Sequence, residues 1–323
     1  MLGALLALAS AATFGFNNAA LRRGVLTGSV LQAMAITVPL GVPLFALVCL
    51  PFGGFEAMAR LSASGWFWMA LAGVVHFVIG RYGNYRTTQA VGANLSGPIQ
   101  QLSIPISVVL AMIFLNETIT PLKLAGFVLI MLGPAVMMRR DNGSGPVKTK
   151  SGFEPRYGEG LLWGVVCAFG YGTSPLFIVK GLGQDGGVVD SLAGGLISYS
   201  VATIVIILLV MYSGGITVMR SLDRTAGKWF VVSAVFVFFS QMFRYMSHAL
   251  APVSIVVPIQ RLSVVFRVIF SWMLNRDHEI FDVQTLFGIG ISVLGAIALT
   301  LSTDLVVSLL PPDWEELLRL EWP

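Results

Sequence analysis

The chain has 323 residues, of which 56% are hydrophobic and only 11% are charged, and its mean hydropathy is +0.82. This composition excludes an ordinary soluble domain and is typical of a protein that crosses a membrane several times. The net charge of +4 does not indicate nucleic-acid binding, because most basic residues fall in loops and at span ends, a pattern that sets membrane topology.

Ten apolar segments reach, or nearly reach, the roughly 20 residues that a membrane-spanning helix needs. The fold class that we expect is an all-α integral membrane protein with ten transmembrane helices. The predicted spans are 3–21, 29–50, 66–87, 92–114, 121–138, 160–179, 191–212, 229–249, 252–274 and 283–303.

A polar hexapeptide within the fourth span, Pro-Ile-Gln-Gln-Leu-Ser at 98–103, returns as Pro-Ile-Gln-Arg-Leu-Ser at 258–263 in the ninth. The segment 3–24 likewise aligns with 160–181, so the chain is one unit written twice. Each unit has five spans. The second unit must therefore enter the membrane from the opposite side, and we expect inverted repeats related by a pseudo-two-fold axis.

The repeat predicts the domain organisation. A first five-span repeat covers 1–140 and a second covers 159–303. Between them, 141–158 begins with Asp-Asn-Gly-Ser-Gly-Pro and continues with basic residues, which indicates a flexible polar linker. A short C-terminal tail follows at 304–323.

The two halves share three features: a helix break early in the first span of each half, a proline in its fourth span, and a glutamate just before its glycine-bearing fifth span. The break lies at Gly15-Phe16-Asn17 in the first half and at Gly172-Thr173-Ser174 in the second. The proline is Pro98 or Pro258, and the glutamate is Glu117 or Glu279. In them the chain resembles the EamA-type transporters of the drug/metabolite transporter superfamily, over roughly residues 3–138 and 160–303. The resemblance implies ten helices, alternating access, a central cavity lined mainly by spans 1, 3, 4, 6, 8 and 9, and both termini in the cytoplasm.

Polar residues form matching stripes on the third and eighth spans. His76, Gly80, Asn84 and Thr88 recur every four residues, and the repeat aligns them with Phe236, Ser240, Arg244 and His248. We expect the stripes to face one another across a substrate cavity at the membrane midplane. The alternative for the asparagines and glutamines is hydrogen bonding between packed helices. The candidate substrate-binding residues are Arg261, Gln260, Gln100, Gln101, Arg244, His248, His76, Asn84 and Asn17.

Proline inside a helix removes a backbone hydrogen bond and permits bending. The repeated pair Pro98 and Pro258 stands beside the polar hexapeptide in both halves. We predict that this pair forms a gating hinge.

The charged candidates in the span interiors are basic, whereas the acids Glu117, Asp277 and Glu279 sit at loop edges. An arginine in mid-span is costly, and a guanidinium pairs well with carboxylate or phosphate. The sequence therefore predicts an anionic or carboxylate-bearing substrate for Arg261 and its neighbours. Arg81 and Arg86 are instead expected to snorkel to the membrane interface.

These patterns predict a secondary transporter of a small metabolite, with no enzymatic activity and no cofactor. Facilitated diffusion or exchange is the simplest mechanism, because no intramembrane carboxylate or ATP-binding loop is present; histidine-mediated proton coupling is the alternative. The alternative functions are an exporter of amines, drugs or neutral amino acids, and a membrane-embedded lipid-phosphate enzyme.

The expected location is a bacterial-type inner membrane, where the chain, a monomer or homodimer, contacts lipid and its substrate but no nucleic acid. Most of the 20 basic residues lie on the side opposite the termini. By the positive-inside rule both termini face outward. This orientation is opposite to the one that the resemblance implies.

Overall fold

The computed structural model describes residues 1–115, 120–138 and 149–300, and these residues fold into helices without a strand. The first half contains α1 (Leu2–Gly24), α2 (Val30–Thr37), α3 (Gly41–Cys49), α4 (Gly54–Arg60), α5 (Ala63–Gly73), a π-helical segment (Val74–Gly80), α6 (Arg81–Val91), α7 (Ala93–Gln101), α8 (Ser103–Leu115) and α9 (Pro121–Met138). The second half contains α10 (Tyr157–Leu182), α11 (Val188–Tyr212), α12 (Ile216–Arg220), α13 (Arg224–His248), α14 (Val253–Arg261), α15 (Ser263–Asn275) and α16 (Val283–Thr300). Glu117 and the predicted tail lie outside the described residues.

Eight helical stretches in the described part of the chain are long and apolar enough to cross a membrane. Some of them join helices that are nearly continuous, namely α2 with α3, α5 with α6, α7 with α8, and α14 with α15. Two shorter apolar stretches, Leu124–Gly133 and Val283–Gly295, lie within α9 and α16. The prediction of an all-α, multi-pass membrane protein is confirmed. The short helices α4 and α12 were not predicted.

Two spans are broken at equivalent positions. Leu102 separates α7 from α8, and its N–H donates to the carbonyl of Ile99 at 3.2 Å. Leu262 separates α14 from α15 and bonds to Ile259 in the same way at 3.1 Å. Each break comes one turn after the proline of the repeated hexapeptide, so the duplicated sequence produces a duplicated discontinuity.

The first helix lies against the second repeat, with its backbone close to α13 and α15. A Cβ placed on Gly15 would lie 2.5 Å from the Cβ of Phe266 and 2.8 Å from the backbone nitrogen of Arg267. Glycine is therefore required for the close approach of α1 and α15, as is usual where membrane helices pack tightly.

Arg81 lies in the aromatic core and does not snorkel, contrary to the prediction. Its side chain is only 1% exposed, donates to the hydroxyl of Tyr199 at 2.8 Å, and sits 4.7 Å from the ring centroid of Phe77. The aromatic rings and the hydroxyl replace water as partners for the charge. Arg86 is partly exposed and pairs with Glu159.

The described part of the predicted linker is packed against the helical bundle. The N–H of Ser151 donates to the carbonyl of Asp277 at 3.0 Å, and that of Arg156 donates to Ala90 at 2.8 Å. The ring of Phe153 lies 4.2 Å from the guanidinium carbon of Arg22. In this part of the linker the polar backbone thus finds partners in the bundle that composition does not reveal.

We expect Gly15→Ala to lower the free energy of unfolding by about 1–3 kcal/mol, because the added methyl group overpacks the contact between α1 and α15. Gly290→Ala is the matched control, since a Cβ there meets no atom within 4 Å. Thermal unfolding of the detergent-purified variants measures the difference. Equal melting temperatures for the two variants would contradict the close-packing argument.

Candidate functional site

A small cavity lies among α1, the π-helical segment, α10, α13 and α14. Four of its lining residues were predicted from the sequence, namely His76, Arg244, Gln260 and Arg261. The prediction missed the other five, which are Ser10, Phe14, Tyr171, Ser240 and Gln241. Ser240 could have been found, because it belongs to the predicted stripe on the eighth span.

Two side chains of the cavity meet at the hydroxyl of Ser174 on α10. Arg244 donates from Nη2 to the Ser174 Oγ at 2.7 Å, and the Nδ1 of His76 lies 2.8 Å from the same oxygen. Which of these two atoms donates depends on the tautomer of the imidazole, and the Ser174 hydroxyl also reaches the carbonyl of Tyr171 at 3.5 Å. The Nε2 of His76 is buried and has no partner among the described residues, so it is open to a hydrogen bond with a ligand.

Close backbone contact places His76 within reach of α10. A Cβ added to Gly170 would lie 2.7 Å from the Cα of Gly80, which shows how tightly α10 packs on the π-helical segment. The imidazole of His76 also stacks on Tyr171, with ring centroids 4.3 Å apart. Helical periodicity predicted the face of His76 but not this π-helical turn, a feature often found at functional sites.

Arg261 is the least satisfied cation of the cavity. It is 9% exposed, its Nε is buried without a partner, and no hydrogen bond joins its guanidinium to the described residues. The guanidinium carbon lies 5.5 Å from the ring centroid of Tyr171. A guanidinium carries five N–H donors, so Arg261 retains most of its capacity to bind an anion.

Arg267 lies outside the cavity and binds the fourth span instead. Its Nη1 donates to the hydroxyl of Ser96 at 2.9 Å, and its Nη2 donates to the Oε1 of Gln100 at 3.0 Å. The amide of Gln100 in turn donates to the Oδ1 of Asn84 at 2.7 Å. Gln100 and Asn84 therefore belong to a chain of bonds between helices, and neither lines the cavity.

The remaining candidates are buried but also lie outside the cavity lining. The Oδ1 of Asn17 accepts a hydrogen bond from Ser233 at 2.6 Å, which joins α1 to α13. Both amide atoms of Gln101 and both ring nitrogens of His248 have no partner among the described residues. Span 4 thus contributes no lining residue, unlike the arrangement that the resemblance implies.

A buried ion pair fixes the start of α7. The Nε of Arg22 lies 2.9 Å from the Oε1 of Glu279, and both side chains are 1% exposed. The same carboxylate accepts hydrogen bonds from the N–H groups of Ala93 and Asn94, both at 2.8 Å, directly after Gly92, whose φ is +89°. Burial raises the pKa of the Glu279 carboxyl, whereas Arg22 and the two amides act against the shift.

Glu279 thus lies in the predicted loop, but its side chain is enclosed instead of facing water. Its carboxylate satisfies two of the unpaired N–H groups at a helix N-terminus and the charge of Arg22 at once. The sequence signalled this role only through the repeated glutamate, and not through any property of the loop itself.

The profile of the EamA-like transporter family matches residues 1–139 and 158–301. The chain belongs to the EamA-like transporter family. It is therefore a multi-pass membrane transporter of small molecules, and the family resemblance predicted from the sequence is confirmed. This family is one of transporters and not of enzymes.

Comparison with curated proteins finds no match. A solved crystal structure matches this member of the EamA-like family with a TM-score of 0.62 and 14% identity, over 91% of this chain and 95% of the other. At that identity the match shows a shared fold alone. In the described part of the chain, no group of three or more His, Cys, Asp or Glu side chains is placed to hold a metal ion.

We expect Glu279→Gln to lower the free energy of unfolding by about 3–5 kcal/mol, because it leaves the Arg22 charge buried without its counter-ion. Glu159→Gln is the matched control, since Glu159 pairs with arginines at the partly exposed surface and its loss costs about 1 kcal/mol or less. Thermal unfolding in detergent compares the two variants. Similar decreases in stability for the two variants would show that the buried Arg22–Glu279 pair does not stabilise the fold more than the surface pairs do.

Proposed function

We propose that this protein is a secondary transporter that moves a small anionic or carboxylate-bearing metabolite through the central cavity by alternating access. The observation that carries this proposal is Arg261, a buried guanidinium that faces the cavity without a hydrogen-bond partner among the described residues. A charge at this depth is expensive, and in membrane proteins such residues are usually functional.

The charge balance around the cavity supports an anion. Arg244 lines it with Arg261, and the partners of Arg244 are the neutral side chains of Ser174 and Gln241. The lining residues include no aspartate or glutamate. An anion would therefore supply the missing counter-charge, whereas an amine would add to the positive charge.

We further propose that ten spans are arranged as two inverted repeats, 1–140 and 159–303, joined through 141–158. The matching breaks at Leu102 and Leu262 support this arrangement, and they come one turn after Pro98 and Pro258, the pair that we propose as a gating hinge. The protein would work as a monomer or homodimer in a bacterial-type inner membrane, since one chain already encloses a cavity.

Facilitated diffusion or exchange is the proposed mode of transport. The unpaired Nε2 of His76 favours histidine-mediated proton coupling as the second mode, because a buried imidazole at the cavity could carry a proton. Flux of the identified substrate into proteoliposomes, with and without an imposed proton gradient, separates the two. A sharp acceleration by the gradient supports coupling.

We expect an anionic metabolite to stabilise the detergent-purified protein by about 2.7 kcal/mol at a hundredfold excess over its dissociation constant. Arg261→Gln should abolish this stabilisation and the uptake of the same compound into proteoliposomes, because it removes the guanidinium group that is available to bind the anion. A screen of anionic, zwitterionic and cationic metabolites by thermal unfolding identifies the compound.

Arg276→Gln is the matched control, since Arg276 lies beyond α15 and its guanidinium contacts the ring of Trp272, away from the cavity. This variant should retain both stabilisation and uptake. Stabilisation by amines alone, unchanged in Arg261→Gln, would overturn the anion proposal in favour of an amine or drug exporter.

A further inference from the structure

Two of the buried guanidinium groups differ from the rest. Arg22 has the carboxylate of Glu279, Arg81 has aromatic rings and a hydroxyl, and Arg267 donates to three neutral oxygens. Arg244 and Arg261 line the cavity, and the described residues provide no carboxylate for either. The cavity therefore carries two positive charges that no described side chain neutralises.

The two cations also have unused hydrogen-bonding capacity. Arg244 donates to Ser174 at 2.7 Å and, over a longer 3.4 Å contact, to Gln241, while Arg261 donates to no described residue. Each guanidinium can hold a carboxylate or phosphate through two parallel bonds. Two such guanidinium groups on one cavity favour a ligand with two negative charges, because a monoanion would leave one buried cation without a counter-charge.

We propose that the central cavity binds a small dianion, with its negative charges placed on Arg244 and Arg261. The unpartnered Nε2 of His76 adds a third polar group to the cavity wall. This assignment rests on the proposed anion transport and narrows its substrate class from any anion to a divalent one.

The test compares two ligands of nearly equal shape that differ by one charge. Glutarate carries two carboxylates at pH 8, and glutaramate replaces one of them with a neutral amide. Isothermal titration calorimetry on the full-length, detergent-purified protein at low ionic strength should give glutarate an affinity about ten- to a hundredfold higher, because glutaramate forfeits one charge-assisted bidentate contact.

Removing one cation should remove the preference. We expect Arg244→Gln and Arg261→Gln each to bring the two affinities to within about twofold, since a single buried charge remains, while Arg276→Gln keeps the wild-type ratio. Size-exclusion profiles confirm that the variants are folded. If either cavity variant fails to fold, the comparison of ligands on the wild-type protein still decides the question.

A second pair of ligands tests whether the bound dianion is a carboxylate or a phosphate. Propyl phosphate, doubly charged at pH 8, is compared with methyl propyl phosphate, which has one charge. Tighter binding of the dianion in either pair supports the proposal, and the tighter of the two dianions assigns carboxylate or phosphate. Equal binding within both pairs overturns the dianion assignment but leaves anion transport intact. Failure of all four anions, with stabilisation by amines, overturns both.

Discussion

The burial of guanidinium groups inside an apolar helical bundle is the constraint on which the rest of the structure depends. A charge removed from water is tolerated only if the protein replaces its hydration, and this chain does so in three ways. Arg22 has a carboxylate, Arg81 has aromatic faces with a hydroxyl, and Arg267 has a carbonyl, a hydroxyl and an amide oxygen. Arg261 has no comparable set of partners, and this difference separates the candidate binding group from the structural ones.

Two of the structural arginines, Arg22 through Glu279 and Arg267 through Gln100, hold α7, the first half of the broken fourth span. Its N-terminus is capped by Glu279, and its last turn is held by Arg267 through Gln100. Both contacts come from the second repeat. The position equivalent to Arg267 in the first repeat is Ser107, whose hydroxyl donates to the carbonyl of Gly172 at 2.8 Å. The two halves therefore share a backbone plan but differ in charge, so the duplicated fold encloses an asymmetric site.

The membrane-protein class and some of the residues that line the cavity were predictable from the sequence. Hydropathy predicted the all-α class, and the repeated prolines Pro98 and Pro258 pointed to the fourth and ninth spans, although the breaks themselves lie one turn later at Leu102 and Leu262. The stripe analysis selected His76 and Arg244, since residues four apart share a helix face. It also selected Asn84, which accepts a hydrogen bond from Gln100 of the repeated hexapeptide instead of lining the cavity. Periodicity identifies a face but does not choose between a ligand and a neighbouring helix.

The sequence by itself determined the fold class, the family and the internal duplication of this transporter, because the lengths of apolar segments and the repeated motifs can be read directly from the order of residues. Only the tertiary structure decided which charges are satisfied. Arg81, Arg261 and Arg267 look alike as arginines within predicted spans. Yet Arg81 donates to Tyr199, 118 positions away, and Arg267 donates to Gln100, 167 positions away, while Arg261 has no hydrogen-bond partner among the described residues. The reason is that the environment of a buried charge depends on helix packing, and packing brings together groups whose separation in sequence carries no signal.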